Sequence, residues 1–155
     1  MIVHPTLAEE RFSRALQGLL EKPAAFAATG VHMVEYRFPW LCVELDVPAQ
    51  RRKLRLRVDG RDYDYRPIDG RWIDDQGKIL RAGSGCVPCN NGFHAEPMDG
   101  WDGPWLCFLG WRSWHNHPGH QDIPWQEIRG LPDYSPLPLI RQLHADLNRP
   151  GVQFR

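Results

Sequence analysis

Cys107 sits in the apolar run Pro104-Trp105-Leu106-Cys107-Phe108-Leu109-Gly110-Trp111, which follows a Gly-rich turn and precedes a dense patch of Trp and His. A thiol placed just after a tight turn is presented at a cleft edge while its neighbours anchor it in the core, the placement a nucleophilic cysteine needs. The competing reading is an inert packing cysteine, because a free thiol behaves as a small hydrophobe when buried. A second group is Cys86-Val87-Pro88-Cys89 together with His115, His117 and His120. There a Cys-x-x-Cys pair with two imidazoles from a later loop has the composition of a tetrahedral zinc site, and an accidental loop pairing is the alternative. The aromatic residues Trp101, Trp105, Trp111, Trp114 and Trp125 are either a partner-binding surface or core packing around long loops.

These residues need a scaffold, and the flanking periodicities supply one. Thr6-Leu7-Ala8-Glu9 has the form of a capping box, which opens an N-terminal helix with Phe12, Leu16, Leu19 and Leu20 on one face. Lys22-Pro23 ends that run, because proline excludes the helical conformation from the residue before it, and Ala24 to Ala28 form one further turn before Gly30. From Val31 the period changes to two. Leu41, Val43, Leu45 and Val47 alternate with polar residues, and Leu54, Leu56 and Val58 alternate with arginines, so two neighbouring strands of an antiparallel meander each bury one face. Asp59-Gly60, Asp69-Gly70 and Gln76-Gly77 punctuate shorter strand candidates at Tyr63, Tyr65, Trp72 and Ile73.

Residues 82–103, rich in Gly, Pro, Asn and Asp, read as a long irregular loop, and a Pro-, Trp- and His-rich loop follows Cys107. Leu139, Ile140, Leu143 and Leu147 restore helical spacing in a helix from about Leu137 to Leu147, stopped by Asn148-Arg149-Pro150-Gly151. The apolar face of the meander is expected to pack against this helix, since alternation requires that one side be covered.

At 155 residues with 42% hydrophobic content, the sequence fits a single α+β domain over 1–155 with its own core. The 19 basic and 19 acidic side chains cancel, so the charge balance lacks the footprint of a nucleic-acid binder. The basic run from Gln50 to Arg57 interleaves with Leu54 and Leu56 as the wet face of a strand does. No apolar stretch reaches the ~18 residues of a membrane span. Met1-Ile2-Val3-His4-Pro5 lacks the charged and apolar regions of a secretory signal, and a cytoplasmic location is expected. The four cysteines then read as reduced thiols rather than a disulfide framework.

Several segments in order resemble the ubiquitin-conjugating (E2) superfamily. Asp62-Tyr63-Asp64-Tyr65-Arg66-Pro67 is similar to the aromatic and proline stretch that ends the E2 meander. His94 and Pro97 resemble the histidine and proline ahead of the E2 cysteine, and Gly103-Pro104-Trp105-Leu106-Cys107-Phe108-Leu109 resembles the run around it. Ile140-Arg141-Gln142-Leu143-His144-Ala145-Asp146-Leu147-Asn148-Arg149-Pro150 is similar to the following E2 helix and its closing turn.

The resemblance implies a UBC-like fold: an N-terminal helix, a meander of about four strands, an active-site loop and a C-terminal helix. It also implies that Cys107 accepts a ubiquitin-like protein as a thioester from an E1-like activating enzyme and passes it to a target protein. No cofactor or metal is needed for that step. His94 would hold the loop by hydrogen bonding, and Glu96 or Asp102 would orient or deprotonate the incoming nucleophile. Glu96 stands where E2 enzymes typically carry an asparagine, which removes an amide donor for the oxyanion. The later helices of eukaryotic E2 enzymes have no counterpart before Arg155. These departures resemble divergent E2-like proteins encoded beside bacterial E1-like, ubiquitin-like and peptidase genes. The alternative function is a non-catalytic zinc-binding or partner-binding module of such an operon, using Cys86, Cys89, His115 and His117.

Overall fold

The computed structural model describes residues 3–155; Met1 and Ile2, part of the stretch read for a secretory signal, lie outside the described residues. Helix α1 (Pro5–Ala15) starts two residues earlier than the capping-box reading. The cap is His4, whose Nδ1 accepts the Thr6 amide at 3.3 Å, and Pro5 fills the first helical position, where no amide is needed. Thr6 is therefore inside the helix and its hydroxyl is not the cap. Helices α2 (Gln17–Glu21) and α3 (Pro23–Ala27) follow, separated at Lys22 because Pro23 forces that residue out of helical geometry. Phe12, Leu16, Leu19 and Phe26 are buried along this helical stretch.

The main sheet is a four-stranded antiparallel meander, β1 (Val31–Arg37), β2 (Trp40–Val47), β3 (Arg52–Asp59) and β4 (Asp69–Ile73), in that spatial order. Its register opposes apolar to apolar, with Leu41 facing Val58, Val43 facing Leu56 and Leu45 facing Leu54. Because side chains alternate, the intervening rows face outward. There Arg55 pairs with Glu44 at 3.2 Å, Lys53 lies 3.8 Å from Asp46, and Arg57 stacks over Trp40. The basic run of β3 thus meets acidic and aromatic neighbours within its own sheet.

Tyr63 and Tyr65 are not strand residues. The chain turns there, with Asp62 in the left-handed region at φ 63°, and buried Tyr63 packs on the Phe12 ring at 5.7 Å. The segment read as one irregular loop contains two short strands, β5 (Pro88–Cys89) and β6 (Phe93–His94). β6 pairs with β7 (Trp105–Leu106), while β5 pairs with β8 (Gln153–Phe154) near the end of the chain. Beyond Cys107 the expected loop carries two short helices, α4 (Arg112–Asn116) and α5 (Trp125–Ile128). Helix α6 (Pro136–Leu147) then agrees with the expected helix to within a residue.

One continuous core contains Phe12, Leu16 and Leu19 from the N-terminal helices, the inner rows of β2 and β3, and Leu139, Ile140, Leu143 and Leu147 of α6. The apolar alternation of the meander is therefore covered as its pattern requires. His144 Nε2 and Asn148 Nδ2 both donate to the Asp46 carbonyl, at 2.9 and 3.0 Å, tying the end of α6 to the end of β2. Trp72, Trp111, Phe93 and Leu106 extend the same core beneath the β6–β7 hairpin. Trp101, Trp105, Trp111 and Trp125 are buried and Trp114 is half-buried, so the aromatic cluster is packing rather than an open surface. Among the described residues no helix is long and apolar enough to cross a membrane.

Candidate functional site

Cys107 leaves the β6–β7 hairpin at the end of β7. His94 pairs with Trp105 and Phe93 with Leu106, and alternation sends Phe93 and Leu106 into the core. Cys107, two residues past Trp105, shares the Trp105 side. Two sets of contacts fix it there. Its amide donates to the Gly92 carbonyl at 2.8 Å. One residue back, Ser113 of α4 donates its hydroxyl to the Leu106 carbonyl at 2.7 Å and accepts the Leu106 amide at 3.3 Å. The hairpin also lies close against β4, where a Cβ on Gly70 would stand 2.8 Å from Trp111 and 2.9 Å from Leu106. The thiol is half-buried, and burial pushes its pKa above the ordinary thiol value.

The partner of that thiol is His120, whose Nε2 lies 3.6 Å from Sγ. Rings hold His120 in place: Trp114 at 4.5 Å and His117 at 4.7 Å, the latter edge-to-face. His117 in turn stacks on Trp105 at 5.4 Å, and the other face of Trp105 carries His94 at 4.0 Å and only 7° from parallel. The turn carrying His117 and His120 is closed locally, with the Gly119 amide donating to His117 Nδ1 at 3.0 Å and the His120 amide to the His117 carbonyl at 3.0 Å. Indole and imidazole rings therefore form a contiguous row from His94 to the Cys107 sulfur.

The other sequence candidates are placed differently from the thiol pair. His94 stacks at the far end of the row with an edge in solvent and makes no hydrogen bond to Cys107. Contact with Trp105 desolvates it, and together with the nearby His117 this lowers its pKa. Glu96 is exposed and, among the described residues, makes no hydrogen bond to the site. Asp102 is held by Arg81 through two contacts of 2.8 and 2.9 Å, which lowers its pKa, and Arg71 donates to its carbonyl. His115 points away from solvent between Trp114 and Trp125; its Nε2 is buried without a partner, and burial with His120 nearby lowers its pKa to about 4. The sequence groups His120 with candidate metal ligands, whereas the structure makes it the partner of Cys107. Its one signal was the clustering of histidines soon after the cysteine.

The residues of the zinc reading are not brought together. Val87 exchanges amide–carbonyl hydrogen bonds with Arg155 at 3.0 and 2.8 Å, and Pro88 and Cys89 continue the pairing as β5. Only Pro88 and Cys89 lie in β5, so Cys86 stands outside the strand that carries Cys89. Alternation also separates them: Val87 and Cys89 are buried in a small satellite core with Ala95, and Cys86 is exposed. Among the described residues no three His, Cys, Asp or Glu side chains are gathered closely enough to share an ion, so Cys86, Cys89, His115 and His117 do not form a ligand set.

The fold and the site together define an α+β protein with a four-stranded antiparallel sheet and a half-buried thiol–imidazole pair at its hairpin edge. No family model and no curated protein matches the sequence.

Proposed function

We propose that this chain is an E2-like carrier that accepts the C-terminus of a ubiquitin-like protein as a thioester on Cys107 and transfers it to a target. The observation that carries the reading is the setting of Cys107. Among the described residues it is the one cysteine whose sulfur is within hydrogen-bond distance of a side-chain partner, and it sits at a braced hairpin end that follows the meander and precedes α6 in the chain. The order of elements supports the same reading, because an N-terminal helix, a four-stranded meander, the cysteine segment and a final helix follow one another as the E2 resemblance implies. Thioester chemistry suits the site, since sulfur is both a strong nucleophile and a competent leaving group. The partners are an E1-like activating enzyme, the ubiquitin-like protein and its target, and no cofactor enters the transfer step.

The test is a thiol-sensitive adduct on a non-reducing gel after incubation with ATP, a cognate E1-like enzyme and its ubiquitin-like protein. Cys107→Ala loses the adduct, and Cys107→Ser loses it or converts it into a reductant-stable oxyester. An adduct that persists unchanged in Cys107→Ala overturns the assignment. The second reading is a non-catalytic partner-binding module with an inert Cys107; the upward-shifted pKa of the half-buried thiol favours it.

A further inference from the structure

The geometry points to His120 as the general base that takes the Cys107 proton, a role that rests on the carrier reading for its substrate but not for its chemistry. The Sγ to Nε2 distance of 3.6 Å lies within hydrogen-bond range for sulfur. With Nδ1 carrying the ring proton, Nε2 faces the thiol as an acceptor. The ring contacts with Trp114 and His117, and the closed turn between His117 and His120, keep the imidazole oriented before substrate arrives. Neither carboxylate expected from the sequence is placed for the role: among the described residues Glu96 is exposed and makes no hydrogen bond to the site, and Asp102 is engaged by Arg81.

A base is needed here. Burial disfavours the thiolate, so a lone Cys107 would be mostly protonated and slow at neutral pH. The titratable groups around His120 are Cys107 from the hairpin end, His115 from α4, and His117 from the following turn; His94 of β6 lies beyond them on the Trp105 ring. Phe108 and Leu109, next along the chain, have amides that donate to no protein group among the described residues. They are donors of the type that an oxyanion beside Cys107 requires.

The transfer balances without any further reagent. The Cys107 proton moves to His120 Nε2, and the thiolate attacks the carbonyl carbon of the incoming thioester. The bond from that carbon to the donor sulfur then breaks, and the departing thiolate takes the proton back from the imidazolium. In the second transfer an amine or hydroxyl of the target attacks the Cys107 thioester and gives its proton to His120. The carbon–sulfur bond breaks and Cys107 is reprotonated.

The experiment measures alkylation of Cys107 by iodoacetamide in the full chain, read from the Cys107 peptide by mass spectrometry between pH 5 and pH 10. The wild type should show a component at neutral pH, below the alkaline rise from direct thiol ionisation. His120→Gln should lose that component and react about tenfold or more slowly at neutral pH, with an unchanged alkaline limb and an unchanged circular dichroism spectrum. A wild-type profile with only the alkaline rise overturns the proposal without recourse to any variant, as does a His120→Gln profile that matches the wild type. The carrier reading fails separately: a His120-dependent neutral component with no adduct to a ubiquitin-like protein sustains the base and removes the carrier. Equal adduct formation by wild type and His120→Gln removes the base and leaves the carrier.

Discussion

His115 and His120 lie five positions apart and meet opposite fates. His120 contacts a thiol, whereas the His115 Nε2 is buried between tryptophans with nothing to bond. That burial has a consequence for stability. The folded pKa of His115, about 4, lies below its ordinary value of 6.5, so between those values the unfolded chain binds a proton that the folded chain excludes. The contribution is therefore fully present above pH ~6.5 and is lost as pH falls toward 4. We expect the Tm to drop by several degrees between pH 7 and pH 5, and His115→Phe to flatten that drop while leaving the Tm at pH 7 unchanged or slightly raised. Thermal melts across this range check the prediction, and a slope unaltered by His115→Phe contradicts it. Residue spacing alone made Cys107 legible as a chemical candidate, because a cysteine after a tight turn stands out in any sequence. The partner was not legible. Counting histidines gives their number but not the ring planes that direct one to the thiol and bury another, and Cys-x-x-Cys gives a spacing but not whether the backbone is coiled or extended.

Elements with a strong period were the easiest to read. The alternation in β2 and β3 and the helical spacing in α6 each run long enough for the buried face to declare itself, and their register follows. Elements of two to five residues have no measurable period, which is why β5, β6, α4 and α5 lay hidden in segments read as loop. The glycines show how tightly those short elements are seated. A Cβ on Gly60, just past β3, would fall 2.4 Å from the Phe12 ring of α1, and Phe12 is fully buried with no room to retreat. Gly60→Ala should therefore cost about 1–3 kcal/mol, or several degrees in Tm. Gly70→Ala meets Trp111 and Leu106 instead, and those residues carry Cys107 between them in sequence. Its expected signature is a comparable loss of stability together with altered alkylation of Cys107, whereas Gly60→Ala lowers stability and leaves Cys107 reactivity as it was. Equal effects of both variants on Cys107 would show that β4 does not brace the site.

At the scale of the whole molecule, an apolar fraction of 42% is enough for one continuous core. That core draws on α1, β1 to β4, both strands of the β6–β7 hairpin, α5 and α6, so no major element depends on a staple to be held in place. A domain of ~150 residues buries ~70% of the surface its unfolded chain exposes, which supplies hydrophobic stabilisation without help from a metal. The segment with the zinc-like composition is anchored by other means: β5 pairs with β8, and Val87 and Cys89 rest in a satellite core with Ala95. If a structural zinc were present, its binding energy would be folding energy, and removing it would unfold the segment. With Cys89 buried in the satellite core and Cys86 exposed, we expect chelation to leave the Tm within ~1 °C and metal analysis of purified protein to find far less than one equivalent of zinc. Cys86→Ser, at an exposed position, should likewise melt with the wild type. About one equivalent of zinc, together with a Tm that falls on chelation and falls again in Cys86→Ser, would mean that 86–89 folds back on itself in solution and that the paired strand described here is wrong.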